Sequence, residues 1–177
     1  MNNNDFDSVV RRAISEELAG SEVLELFPNK LGFLLYEKLY EYDTLTEALQ
    51  GKDATIILYQ YTKFNGHYII LIKHENNLYE IFDPLGYPPD YELKYFPYDK
   101  SPQLSTLIKR FENTGGKVII NNFKFERDAE RINTCGRWCI LRYAFKELML
   151  NEFTEFIKSS KIKSDRLVTI MTMIIKH

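Results

Sequence analysis

The chain has 177 residues, 45% of them hydrophobic and 14% aromatic, enough for a substantial core and far from the composition of a disordered segment. A formal net charge of −2 argues against nucleic acid as the main partner, because phosphate binding needs a basic excess or stripe. No apolar run approaches the ~20 residues of a membrane span, and the N-terminus lacks a basic stretch followed by an apolar one, so a soluble, non-secreted protein is expected.

In chain order, Phe6, Val9, Val10, Ile14 and Leu18 recur at helical spacing, and so do Leu31, Leu34, Leu35 and Leu39. A turn at Gln50–Asp53 precedes a β-prone run from Ala54 to Tyr61. A second strand opens at His67 after Gly66, and Leu78–Phe82 returns from a turn beginning at His74. Five prolines between Asp83 and Pro102 make that stretch a loop. A helix is predicted over Leu104–Phe111, stopped by Gly115-Gly116, then a strand from Val118 to about Phe125. A long helix is predicted from Cys135 to Leu150, with two shorter ones over Glu152–Ile157 and Asp165–Ile175, joined by a solvated link rich in lysine and serine. The predicted fold is α+β: a three- or four-stranded, mostly antiparallel central sheet surrounded by helices, all in one domain spanning 1–177. Residues 151–177 either complete the core or form an accessory element.

Three histidines limit the search for a base. His177 is terminal, and His74 sits in a turn where exposure is the default. His67 opens a strand, and folding the chain back near residues 74–77 sets it opposite positions 83–86, where Asp83 is the one ionisable residue. Facing strand residues approach closely enough for a carboxylate to accept an imidazole N–H. On its own such a pair is more often incidental than catalytic.

Cys135 stands where a loop becomes a helix, with Asn133 or Thr134 as N-cap. A thiol in the first helical turn feels the positive end of the macrodipole, which favours thiolate. Gly136 beside it lets a substrate backbone approach and leaves N–H groups for an oxyanion. By position alone, Cys135 reads equally well as a packing cysteine. Cys139, one turn deeper, reads as packing, because a zinc pair would need two further ligands.

Together the segments NGHYIILIKHENNLYEIFDPLGYPPD and NTCGRWCILR resemble the adenain-like cysteine proteases of large DNA viruses, virophages and Polinton-type elements, relatives of adenovirus maturation protease and of SUMO-deconjugating proteases. The likeness rests on Gly66-His67-Tyr68, Phe82-Asp83-Pro84-Leu85-Gly86 and Thr134-Cys135-Gly136-Arg137. It spans about Leu24 to Leu150 and is strongest over 54–90 and 133–145. It implies a papain-like core with Cys135 as nucleophile, His67 as base and Asp83 as orienting acid, the Cys helix packing on the sheet that carries the other two. The family usually supplies a glutamine before the cysteine as an oxyanion donor, and Glu126 stands there instead. An ionised carboxylate donates no hydrogen bond. Either Glu126 keeps its proton, or backbone N–H groups near Cys135 and Gly136 suffice, or Asn121, Asn122 or Asn133 donates. Tyr68 takes the place of a frequent tryptophan.

Tyr68, Arg137 and Trp138 are candidate substrate contacts, with Trp138 reading equally well as core, and Tyr87-Pro88-Pro89-Asp90-Tyr91 is a wall beside Asp83. The resemblance implies a cysteine endopeptidase that cuts viral capsid or core precursors at small-residue, glycine-containing sites during virion maturation. It would act as a monomer in the host cytoplasm or virus factory and in the virion. No metal or organic cofactor is expected, and a peptide activator is allowed. The alternatives are a deubiquitinase or SUMO-type deconjugase acting on host proteins, and a catalytically weak scaffold of the same fold.

Overall fold

Central strand sequences such as HYIILI alternate no polar residue with their apolar ones, the mark of a sheet covered on both faces. A computed structural model, describing residues 3–63, 65–75, 77–97, 99–129 and 132–176, has that arrangement. Residues 64 and 76, in two of the turns the sequence marks, and His177 lie outside the described residues.

Five strands, β1 (Leu31–Leu35), β2 (Ala54–Thr62), β3 (Asn65–Lys73), β4 (Leu78–Phe82) and β5 (Lys117–Ile120), lie side by side in chain order. β2, β3 and β4 form an antiparallel meander, while β1 and β5 add to its edges in parallel. Ile56, Ile70, Ile72 and Phe82 face one layer of helices: α5 (Cys135–Ala144), α6 (Leu150–Ser159) and α7 (Ser164–Ile175). Ile57, Ile69, Leu71 and Ile81 face the other, made by a 3-10 turn over Tyr36–Glu41, α3 (Leu45–Ala48) and α4 (Gln103–Asn113). α1 (Asn3–Ser15) and α2 (Gly20–Leu26) close the first side, α1 packing on α7 through an Arg166–Asp7 ion pair at 2.6 Å. Phe153, Ile157 and Val168 are buried in the core around α5, so the described residues from 151 to 176 complete that core.

The class is α+β as expected, but three elements differ. Leu31–Leu35 is a strand, where its spacing suggested helix: a strand buried among apolar neighbours reads as a continuous apolar run, and LGFLL fits either period. It supplies the fifth strand. β5 stops at Ile120, because Asn121 turns its side chain onto Asp83. α5 stops at Ala144 rather than Leu150. Arg142, wholly buried, donates to the carbonyls of Phe145 and Leu148 at 2.7 and 2.9 Å, satisfying groups a continuing helix would have used.

Every residue of α5 from Cys135 to Tyr143 is buried, which makes it the central helix. It is tied to the sheet by Arg142, whose guanidinium grips Glu80 of β4 with two bonds of 2.6 and 2.8 Å. His74 adds a third contact to Glu80 at 3.0 Å, so it is partly buried and paired, where a turn position suggested exposure.

Candidate active site

The β3–β4 ladder places Ile70 opposite Phe82, so its continuation would set His67 against Leu85, with Asp83 one same-face step back. Beyond the ladder the chain turns: Gly86 N–H donates to Asp83 O at 2.9 Å, and Leu85 N–H caps Asp83 Oδ1 at 2.8 Å. Gly86 sits at φ +70° with Phe123 O 2.9 Å from where a Cβ would stand, so the turn requires glycine. The turn swings the Asp83 carboxylate onto His67, with Oδ1 2.9 Å from Nε2 and both side chains buried. The predicted pair forms, through a diagonal relation and a turn rather than direct opposition.

With Nε2 engaged by Asp83, Nδ1 is the ring nitrogen left for a second partner. Cys135 supplies it: the donor atoms of Cys135, His67 and Glu126 lie within 4.8 Å of one another. Among the described residues, this is the one group of three such side chains close enough to share a single small ion or proton. Burial opposes charge on the His67 ring, yet Asp83 and the Cys135 sulfur outweigh it and hold the imidazole well above its ordinary range. Burial pushes the Cys135 thiol up, His67 pulls it down, and charge on Glu126 pushes it up again. The helix N-terminus was foreseen from sequence, whereas the burial that works against thiolate was not.

The start of α5 is unusual in its cap. Thr134 holds the N-cap position, but its side chain makes no capping bond. Its hydroxyl lies 3.2 Å from Glu126 Oε1 and 3.1 Å from Asp165 Oδ1, and its backbone N–H donates to Glu126 Oε1 at 2.7 Å. Trp138 N–H makes the first intrahelical bond, to Thr134 O, so the N–H groups of Cys135, Gly136 and Arg137 have no helical acceptor. Glu126 is fixed from below as well, since Pro84 O accepts the N–H groups of both Phe125 and Glu126 at 2.9 Å. Burial raises the Glu126 carboxyl to about 7, against the lowering effect of its Thr134 hydrogen bonds and of His67.

A cleft of about 250 Å³ opens onto this group, lined by His67, Cys135 and Glu126 together with Tyr87, Glu92 and Asn133. Tyr87 stacks on Tyr91 at 4.1 Å and donates to Asp128, so the proline-rich segment does form a wall of the cleft. Glu92, held by the Tyr61 hydroxyl, and the half-buried Glu17, whose carboxyl burial raises, were missed; isolated acidic residues in unassigned loops give no sequence signal.

Four expectations are corrected. Trp138 is fully buried against Phe125, and Arg137 lies between α5 and α7, donating to Thr172, so neither lines the cleft. Gly136 is buried beneath Tyr68 and Leu18, which a Cβ would meet at 3.5 and 3.6 Å, so its smallness does not open the cleft. Tyr68 is buried too, and lines a separate hollow with Glu17 and Gly66. Among the asparagines, Asn121 spends its amide on Asp83 and Phe123, Asn133 spends its own on Ser15 O, and Asn122 lines a different groove. Cys139 is buried, as expected, with its thiol 3.5 Å from Tyr68 O.

No family model matches the chain. It is 35% identical to the uncharacterized protein V9 of Sputnik virophage over 167 residues, which cover 88% of this chain and 94% of that protein. Among solved structures, that of ChlaDub1 from Chlamydia trachomatis aligns with 99% of this chain and 78% of its own at 13% identity, with a TM-score of 0.46. No helix of the described residues is long and apolar enough to cross a membrane.

Proposed function

We propose that this chain, which belongs to the family of the Sputnik virophage protein V9, is a cysteine protease. The observation that carries the reading is the buried chain of Asp83, His67 and Cys135, ending at an uncapped helix N-terminus that faces a cleft. In such a site Asp83 orients His67 through Nε2, and Nδ1 takes the thiol proton of Cys135. The sulfur bonds to the substrate carbonyl carbon, and the carbonyl electron pair moves onto oxygen, facing the first N–H groups of α5, which have no acceptor within the helix. Collapse breaks the C–N bond, and His67 returns its proton to the departing amine. Water, deprotonated by His67, then hydrolyses the thioester and frees Cys135.

The substrate is proposed to be a viral capsid or core precursor cut at small, glycine-containing sites during virion maturation. That role is supported by the family's virophage member and by the sequence resemblance. Co-expression of the native protein, and of Cys135→Ala, with the precursor capsid protein of its own virus tests it. Shortening of the precursor by the native protein alone is expected. A full-length precursor beside a reactive Cys135 would overturn the maturation role, and preferential hydrolysis of ubiquitin-like C-terminal conjugates would replace it with deconjugation.

A further inference from the structure

The backbone N–H of Thr134 donates to Glu126 Oε1 at 2.7 Å, the shorter of that oxygen's two contacts with this residue. That oxygen is therefore the acceptor half of the group. The carboxyl is buried at 4% exposure, lines the cleft, and has an oxygen within 4.8 Å of both the Cys135 sulfur and the His67 ring. A carbonyl carbon bonded to that sulfur sets its oxygen within hydrogen-bond reach of a group so placed. The first N–H groups of α5, which have no acceptor within the helix, approach from the helix side, and Glu126 from the loop side.

We propose that Glu126 works as a neutral carboxylic acid, its Oε1 anchored by Thr134 and its Oε2–H donated to the oxyanion, so that loss of this proton switches the protease off. The inference rests on the protease reading of Cys135. As the sulfur–carbon bond forms and the carbonyl π pair moves onto oxygen, that oxygen accepts the Oε2–H hydrogen bond while the proton stays with Glu126. When the pair returns and the C–N bond breaks, the hydrogen bond is released, and no net proton has left the carboxyl. An ionised Glu126 has no proton to give and sets a negative charge against the developing oxyanion.

The surroundings favour the neutral form. Asp165 of α7 faces Glu126 through Thr134 and raises its carboxyl further, while His67 of β3 lowers it. Arg127, the nearest basic side chain along the loop, turns away to Asp165 at 2.6 Å, and Glu126 has no ion pair among the described residues. Asp128 and Glu92 add negative charge across the cleft, Cys135 is the remaining ionisable neighbour on α5, and Asp83 lies behind His67. Burial, named above as the chief cause, places the carboxyl at about 7, where ionisation falls within the working range of a neutral-pH enzyme.

The test uses N-acetyl-Leu-Gly-Gly-aldehyde, which adds to a reactive cysteine as a reversible hemithioacetal bearing the same oxygen, read as protection of Cys135 from iodoacetamide between pH 5.5 and 9. Native protein and Glu126→Gln should bind it within about three-fold of each other at pH 5.5. At pH 8.5 the glutamine variant, a donor at every pH, should bind at least ten-fold tighter than native. Glu126→Ala should be weaker than Glu126→Gln at every pH, by roughly 10²–10³ as for loss of one such donor. A native-to-Gln ratio that does not change with pH, or Glu126→Ala binding as tightly as native at pH 5.5, would overturn the donor role and leave the protease reading standing. Native protein that captures no aldehyde at any pH would remove both.

Discussion

Asn121 and Asp83 clasp each other reciprocally: Asp83 N–H donates to Asn121 Oδ1, and Asn121 Nδ2 donates to Asp83 O, both at 2.7 Å. The side chain of one residue thus serves as the missing strand partner for the backbone of the other, just where the β4–β5 ladder ends. This holds the acid's backbone still while its carboxylate engages His67.

Asn121→Ala leaves the Asp83 N–H without its acceptor in a buried site, while Asp83 O keeps the Gly86 N–H. A cost of about 1–3 kcal/mol for the unsatisfied N–H is expected. Urea unfolding should show it, together with slower labelling of Cys135 as His67 loses a fixed acid. Asn121→Asp would restore the acceptor but not the donor, and should be rescued only in part.

The grip of Arg142 on Glu80 joins the central helix to the sheet inside the core. Glu80→Ala strands a buried guanidinium, for which about 3–5 kcal/mol of lost stability is expected. Burial works against the Glu80 carboxylate, but His74 and Arg142 together lower it below its ordinary range. A lowered carboxyl gives stability that is present above the unfolded value and lost as pH falls through the folded one. Native protein should therefore lose stability on acidification below the ordinary glutamate range. Denaturation midpoints of Glu80→Gln should lack that share of the slope; an unchanged slope would contradict the assignment.

Glu126 contributes with the opposite sign. Its folded value, about 7, lies above the ordinary 4.5, so the native state holds the proton more tightly than the unfolded chain. Its contribution to stability is therefore full below 4.5 and lost as pH rises to 7. Glu126→Gln should match native near pH 4 and exceed it at pH 8 by up to about 3 kcal/mol, at 1.36 kcal/mol per pKa unit. Equal stabilities at both pH values would mean that the buried carboxyl carries no such strain.

Much of the site was legible because it hangs on local features: a hairpin that brings His67 and Asp83 near each other, a Gly86 turn, and a loop-to-helix junction at Cys135. The strand β4 and the starts of α5 and β2 fall where the sequence placed them. What could not be read depends on contacts distant in sequence. Thr134 looks like a helix cap until Asp165, 31 residues on, draws its hydroxyl away. Arg137 reads as a cleft contact beside a nucleophile, and Trp138 as either contact or core, until α7 and Phe125 cover them. Leu31–Leu35 looks helical until it pairs with β2.

The pairing of Cys135 with His67 is tested most directly by iodoacetamide labelling at neutral pH, followed by mass spectrometry, on native protein and His67→Ala. Cys139, fully buried, is the internal control. Cys135 should label at least ten-fold faster than Cys139, and His67→Ala should slow Cys135 by about ten-fold or more while leaving Cys139 unchanged. Equal labelling of the two cysteines, or a Cys135 rate indifferent to His67→Ala, would contradict the account.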